Sequence, residues 1–323
     1  MRRMFDQEFL KELEYLSFVS RKVKRNGGRV ISMANHNIRC DGNELYLRRQ
    51  LRRFGNGTRF ADHRVYVSGD DLRHFDWNLY SRLGEYFTKR YEVDEDVYVY
   101  FFLDCSKSMQ AGDGNLNKFV YASRFVAALA YLGLSDSKYV SVIPFANQLG
   151  KIFPPTRGKW NFFNLIRFLE QSKPILPATN LQTAVCDFIN KTKRTGIVFI
   201  VSDFFEPVGY QAAIDQLRYC RFEPIMIQVH TDFEADPMSD SATAQLLNNN
   251  CTIANIENES AKNNSNSEEL NLIMTESILK KYKKCFGDFL ETIRNYCNKN
   301  NISCSISRTS VPYNELILEM MTF

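Results

Sequence analysis

Val97-Tyr-Val-Tyr-Phe-Phe-Leu103, followed at once by Asp104-Cys-Ser106-Lys-Ser108, decides the fold of this 323-residue chain. An apolar run without polar alternation reads as a strand buried on both faces, the habit of a central strand in a parallel sheet. The pattern then repeats. Asn117 to Leu134 has the period of a helix, and Val140-Ser-Val-Ile-Pro-Phe145 reads as a second strand. Helical segments near 159–171 and 180–193 precede a third strand, Ile197 to Ser202. A helix over 209–219 and a strand from Pro224 to His230 come next, then a helix from Thr275 to Asn298 and an edge strand from Ile302 to Ile306. Strands alternating with helices of this length predict an α/β fold, a mostly parallel sheet flanked by helices.

Upstream of this block the pattern changes. Phe5 to Lys24 carries apolar residues at 5, 9, 10, 13, 16 and 19, the spacing of an amphipathic helix, and Asn26-Gly27-Gly28 ends it. Between Gly42 and Tyr100, short alternating segments at 44–47, 65–67 and 86–88 are broken by Gly55-Asn-Gly and Gly69-Asp-Asp. They read as a small β-rich layer. The expected organisation is a helix plus a basic β-rich region over residues 1–94 and the α/β domain over residues 95–323. Within the latter, residues 236–267 contain Asn248-Asn-Asn250 and Asn263-Asn-Ser-Asn-Ser267 and read as an exposed polar insertion.

Composition excludes several classes. With 44% hydrophobic and 24% charged residues the chain is globular, and a net charge of +4 is too small to demand a nucleic-acid or membrane partner. The basic surplus lies early: 19 Lys or Arg against 12 Asp or Glu up to Glu92, and 22 against 25 afterwards. No apolar run approaches the roughly 20 residues needed to span a bilayer. The first residues, Met-Arg-Arg-Met-Phe-Asp-Gln-Glu, have no apolar signal core, so a cytoplasmic location is expected. Eight cysteines form no C-x-x-C pair and read as reduced packing residues, and four scattered histidines disfavour a zinc hydrolase.

The chemistry-bearing residues gather at strand ends. Asp104, Ser106 and Ser108 leave the first strand where ligands bind in open α/β sheets. Asp203 leaves the strand Ile197 to Ser202 at the same edge if the two run parallel, and Thr179 precedes a helical segment. Two carboxylates and three hydroxyls suit a hard divalent cation with oxygen ligands, such as Mg²⁺. Phosphoryl transfer lacks its phosphate-cradling loop, since neither G-x-x-x-x-G-K-[ST] nor G-x-G-x-x-G is present. The alternative structural role for Ser106 and Ser108 is helix capping.

Asp104-x-Ser106-x-Ser108, then Thr179, then Asp203 resembles the metal-ion-dependent adhesion site of von Willebrand factor A domains. The resemblance implies that Ser106 and Ser108 bind Mg²⁺, or Mn²⁺ in its place, directly. Thr179 would bind directly or through water, Asp104 and Asp203 would hold coordinating waters, and a partner's Glu or Asp would complete the shell. A second resemblance rests on Phe60-Ala-Asp-His-Arg-Val-Tyr66, Gly69-Asp-Asp-Leu-Arg73, Asp76-Trp-Asn78, Arg82 and Lys89-Arg90. These residues resemble the signature of domain-of-unknown-function family 58, with Ser68 for the usual proline and Phe75 for the usual isoleucine. That resemblance implies a von Willebrand A-like domain downstream. It further implies a non-enzymatic, metal-dependent adaptor that partners a MoxR-type AAA+ ATPase in a chaperone-like or assembly role.

Competing readings use other residues. Arg48, Arg49, Arg52 and Arg53 place four arginines within six residues and form a candidate partner-binding segment. With the neighbouring aromatics they also offer a nucleic-acid-binding alternative, although interleaved acids favour internal ion pairs around a Trp77 core. A metal-dependent hydrolase would need a general base that no local motif supplies. Asp113-Gly-Asn115-Leu-Asn117 starts like a calcium loop but has Lys118 where Gly is required and Arg124 where Glu is required. Cys105 reads as a small packing residue.

Overall fold

A computed structural model describes residues 4–25, 54–55, 59–68, 71–92, 96–112, 114–173, 179–206, 209–237 and 276–322. The chain divides into two compact units, one spanning Ala34–Asp96 and one combining Met1–Met33 with Val97–Phe323.

The larger unit is built around β4 (Tyr98–Asp104), whose residues from Val99 onward are all buried. β4 pairs in parallel with β5 (Tyr139–Phe145) on one side and with β7 (Ile197–Ser202) on the other. β8 (Glu223–His230) and β9 (Ser303–Arg308) extend the sheet in parallel, and β6 (Phe153–Thr156) closes the opposite edge antiparallel to β5. The order β6-β5-β4-β7-β8-β9 is that of a doubly wound sheet, with the chain reversing direction across the sheet at β4 and β7. The fold is α/β, a mostly parallel sheet flanked by helices, as the sequence predicts. The edge strand β6 escapes the sequence reading because Pro154 and Pro155 argue against a strand except at an edge.

Alternation along β4 feeds two cores. Val99, Phe101 and Leu103 face α3 (Lys118–Ser135), α4 (Phe162–Gln171) and α9 (Tyr313–Thr322). Tyr100 and Phe102 face α5 (Leu181–Lys191), α6 (Gln211–Tyr219) and α8 (Glu276–Lys299). Phe101 stacks on Phe199 of β7 at 5.1 Å, which locks the two strands that carry the candidate site. Asn117 begins α3 by accepting the N–H groups of Phe119 and Val120, so the would-be calcium loop is a helix cap.

The units divide at Asp96/Val97, close to the expected boundary, but the expected grouping of the opening helix with the β-rich region is corrected at α1 (Gln7–Arg25). Phe5, Phe9, Leu13 and Leu16 are buried in the same core as Phe125 and Leu316, so the opening helix belongs to the α/β unit. Its apolar stripe needs a large partner surface, and a three-stranded layer does not supply one.

The smaller unit contains β1 (Phe54–Gly55), β2 (Arg59–Val65) and β3 (Phe87–Glu92) in an antiparallel sheet with β3 central, plus α2 (Trp77–Leu83). Asp76 caps α2 and takes His63 Nε2 at 2.8 Å and Lys89 Nζ at 3.3 Å. The His63 hydrogen bond, reinforced by Leu79 N–H and Lys89, holds the Asp76 carboxyl down to about 2. Trp77 is 69% exposed, whereas Phe75 is buried, so the expected tryptophan core is replaced by Phe75 with Trp77 packed edge-on at 4.5 Å. Arg73 pairs with Asp71 at 2.9 Å, as the interleaved charges suggest. The arginines 48, 49, 52 and 53, Asp70 and most of the 236–267 insertion lie outside the described residues.

If α1 is part of the α/β core, Leu16→Ala should lower its unfolding free energy by about 2–5 kcal/mol. Urea titration followed by circular dichroism measures this, and a loss below about 0.5 kcal/mol would show that α1 is peripheral.

Candidate metal centre

Asp104 ends β4 at the reversal point of the sheet and has no exposed surface. Its Oδ1 accepts the Ser106 N–H at 2.8 Å, and its Oδ2 accepts the Ser202 hydroxyl at 2.5 Å. Ser202 Oγ in turn accepts the Phe204 N–H at 2.9 Å. One hydroxyl therefore ties the end of β4 to the loop leaving β7, and it supports Phe204 in a left-handed conformation, φ +57°. Such backbone strain in a bulky residue persists only where the surroundings impose it.

Ser106 starts the 3-10 turn Lys107–Gln110, yet its side chain makes no capping bond there. Instead Ser106 Oγ and Ser108 Oγ share a hydrogen bond at 2.9 Å, which either hydroxyl can donate. Two oxygens bound to one octahedral ion at 2.0–2.1 Å in adjacent positions would be about 2.9 Å apart, √2 times that distance. The hydroxyl pair thus has the separation of one edge of such a coordination shell. The donor chemistry agrees, because the oxygens are hard and, among the described residues, no cation pairs with Asp104.

Electrostatics mark the same place. Burial, and then the charge of Asp203, push the Asp104 carboxyl up to about 7, while hydrogen bonds from Ser202 and Ser106 pull in the other direction. Burial and Asp104 push the Cys105 thiol up to about 12, and Cys105 packs in the core as expected. Asp203 is also buried; its Oδ1 accepts the Phe205 N–H at 3.2 Å and its Oδ2 takes Lys118 Nζ at 2.7 Å.

Thr179 is half-buried, two residues before α5, and its neighbours place it at this edge. Asn180 N–H donates to Ala146 O, just beyond β5, at 3.0 Å. Leu181 N–H, the first of α5, donates to Glu206 Oε1 at 2.8 Å. A helix's first N–H has no intrahelical partner, so the carboxylate satisfies it and favours the positive end of the helix dipole. Glu206 thereby stitches the segment after Thr179 to the loop after Asp203. The five sequence-predicted residues sit on one sheet edge, and Asp104, Ser106 and Ser108 are joined by direct or shared hydrogen bonds.

Four supporting residues escaped the sequence reading: Ser202, Glu206, Lys118 and Glu234. Lys118 Nζ also meets Glu234 Oε1 at 2.6 Å. Glu234 belongs to a capping box with Thr231 on the short helix α7 (Asp232–Ala235). Among the described residues, no group of three or more His, Cys, Asp or Glu side chains could hold a metal, so a site here depends on its hydroxyls.

The profile described as "Protein of unknown function DUF58" matches residues 62–245, more than half of the chain. The chain belongs to this family. The matched span includes the smaller unit's Asp76 and Trp77 as well as Asp104, Ser106, Ser108, Thr179 and Asp203. Uncharacterized protein Rv1480 of Mycobacterium tuberculosis and uncharacterized protein Mb1516 of Mycobacterium bovis are each 24% identical over 179 residues, 54% of this chain and 56% of theirs. The chain thus spans about half the length of the curated relatives it matches.

Among solved structures, the conserved hypothetical protein BatB from Bacteroides thetaiotaomicron is similar over 70% of this chain and 97% of its own, with 15% identity and a TM-score of 0.42. Proximal thread matrix protein 1 from the mussel byssus, solved with a zinc-occupied MIDAS motif, is similar over 42% of this chain and 36% of its own, with 16% identity and a TM-score of 0.32. Among the described residues, no helix of this family 58 protein is long and apolar enough to cross a membrane.

His230, at the end of β8, supplies a pH test of this corner. It is buried with Nδ1 2.9 Å from Gln228 Oε1, and Gln228 Nε2 reaches Asp203 O at 3.5 Å. Burial first, then Arg308 and Lys118, push the imidazole down to about 4, against the opposing pull of Asp232. Between about pH 6.5 and 4 the unfolded chain binds a proton that the folded chain refuses. This contribution to stability is complete above that window and is lost as the pH falls through it. Wild type should therefore gain about 1.4 kcal/mol per pH unit more than His230→Gln across the window. Urea titrations at several pH values measure the difference, and parallel slopes would contradict it.

Proposed function

We propose that this protein is a non-enzymatic, metal-dependent protein-binding adaptor. The observation that carries the reading is the pair of hydroxyls, Ser106 Oγ and Ser108 Oγ, held 2.9 Å apart beside the buried Asp104. On this reading Ser106 and Ser108 bind a divalent ion, Mg²⁺ with Mn²⁺ as a substitute, and Thr179 binds it directly or through water. Asp104 and Asp203 orient its remaining waters. The ion supplies positive charge at the protein surface to which a partner's Glu or Asp binds.

The protein's own residues do the rest. Ser202 fixes Asp104, and Glu206 fixes the segment that carries Thr179. A rigid first shell is what such a site needs, because a metal ligand displaced by 1 Å no longer binds. Charge favours an acidic partner group: hydroxyls bring no negative charge, so the ion keeps part of its own.

The partner on this reading is a MoxR-type AAA+ ATPase, and the process is chaperone-like or assembly work. Support for the partner comes from the association of family 58 with such ATPases; the site itself specifies only an acidic side chain. Against catalysis stands the position of His230: it is buried with Nδ1 against Gln228 Oε1, which leaves it poorly placed as a base for Ser106 or Ser108.

Binding of the purified ATPase, measured with and without Mg²⁺, tests the proposal. Wild type should bind in Mg²⁺, and EDTA or Ser106→Ala/Ser108→Ala should weaken binding at least about tenfold, 1.4 kcal/mol. Equal affinity in all conditions would contradict a metal bridge.

A further inference from the structure

Lys118 is the one described lysine with no exposed surface, and the fold places it where a lysine is doubly unfavourable. It is the first residue of α3, at the positive end of the helix dipole, which disfavours a cation. It is also fully buried, and lysines are almost never so unless paired. Its ammonium reaches Asp203 Oδ2 at 2.7 Å and Glu234 Oε1 at 2.6 Å, and the Phe205 ring lies 5.4 Å from it. Burial alone would lower its proton affinity, but the charges of Asp203 and Glu234 raise it above the ordinary lysine value. An apolar residue in place of such a buried ion set is commonly no less stable. Packing therefore gives no reason for this charge at this position.

The consequence lies at Asp203. Lys118 engages one of its oxygens and the Phe205 N–H engages the other. Asp203 and Glu234 thus hold one fixed ammonium between them, and the charge of Asp203 bears in turn on Asp104. We infer that Lys118 is a built-in counter-cation of the metal centre, neutralising Asp203 and holding the centre's affinity for a divalent ion down. The inference rests on the reading of Asp104, Ser106 and Ser108 as a metal site. A positive charge near a bound divalent ion repels it, and the repulsion is strong where water is excluded. The centre then holds the ion firmly only when an outside carboxylate adds the negative charge that Lys118 withholds. Metal binding and partner binding become mutually dependent by charge alone.

Titration of the full-length protein with Mg²⁺ by calorimetry, together with melting temperatures in EDTA, tests this with Lys118→Met. Methionine keeps the unbranched stem and removes the charge. The expected result has opposite signs: the melting temperature in EDTA falls, because Asp203 and Glu234 lose their cation, while Mg²⁺ binds about tenfold or more tightly. A merely structural lysine would lose both together. Wild-type binding that Lys118→Met leaves unchanged or weakens overturns the inference while the metal reading stands. Failure of both proteins to bind Mg²⁺ overturns the metal reading and the inference with it. Should Lys118→Met not fold, Glu234→Gln gives the converse test, since it removes one negative charge and keeps the lysine. Mg²⁺ should then bind about tenfold more weakly, and unchanged or tighter binding overturns the inference.

Discussion

A carboxylate with no exposed surface stands at the end of the strand around which the sheet is built, and it has to be made tolerable there. Burying an isolated carboxylate costs many kcal/mol unless hydrogen bonds or a cation compensate. Two hydrogen bonds reach Asp104, one from the turn that follows it and one from Ser202 on the neighbouring strand. The second bond fixes β7 against β4 at their carboxyl ends, which is also where Asp203 leaves the sheet. Much of the local order follows from this constraint: the strained Phe204 and the paired serines surround the same buried charge, and Lys118 pairs with the neighbouring Asp203.

The strand and its loop were legible in the sequence because their signals are local. Seven apolar residues from Val97 to Leu103 can only be a strand buried on both faces in a chain of alternating strands and helices. Asp104, Ser106 and Ser108 follow within five residues, so their convergence needs no knowledge of tertiary structure. The helix from Phe5 was legible as a helix, but its partner was not, because periodicity shows that a face must be buried and not against what. The edge strand Phe153–Thr156 was hidden by its prolines.

The supporting residues were illegible for a different reason. Lys118 meets Asp203 and Glu234 across 85 and 116 residues of sequence, and Ser202 meets Asp104 across 98. No spacing rule connects positions so far apart; only the sheet order does. Lys118 did carry one signal, a lysine at the head of a largely apolar helix most of whose other residues are buried. Ser202 carried a weaker one, as the only polar residue of its strand. Trp77 misled because size suggests burial, whereas the smaller Phe75 sits at the bridge between the turn and β3 and takes the interior position.

The smaller unit shows the same economy around a different carboxylate. Asp76 caps α2, accepts His63 and holds Lys89, so one side chain joins the helix to two strands of the sheet. The family match covers part of this unit together with the strand-end site, over residues 62–245. The proposed function nevertheless depends on a divalent ion at the strand-end site. Anomalous diffraction from crystals soaked in Mn²⁺ tests this most directly, because it locates the ion without assuming its ligands. The expected result is a peak at roughly 2 Å from both Ser106 Oγ and Ser108 Oγ. A peak elsewhere, or none at the two serines in saturating Mn²⁺, would contradict it.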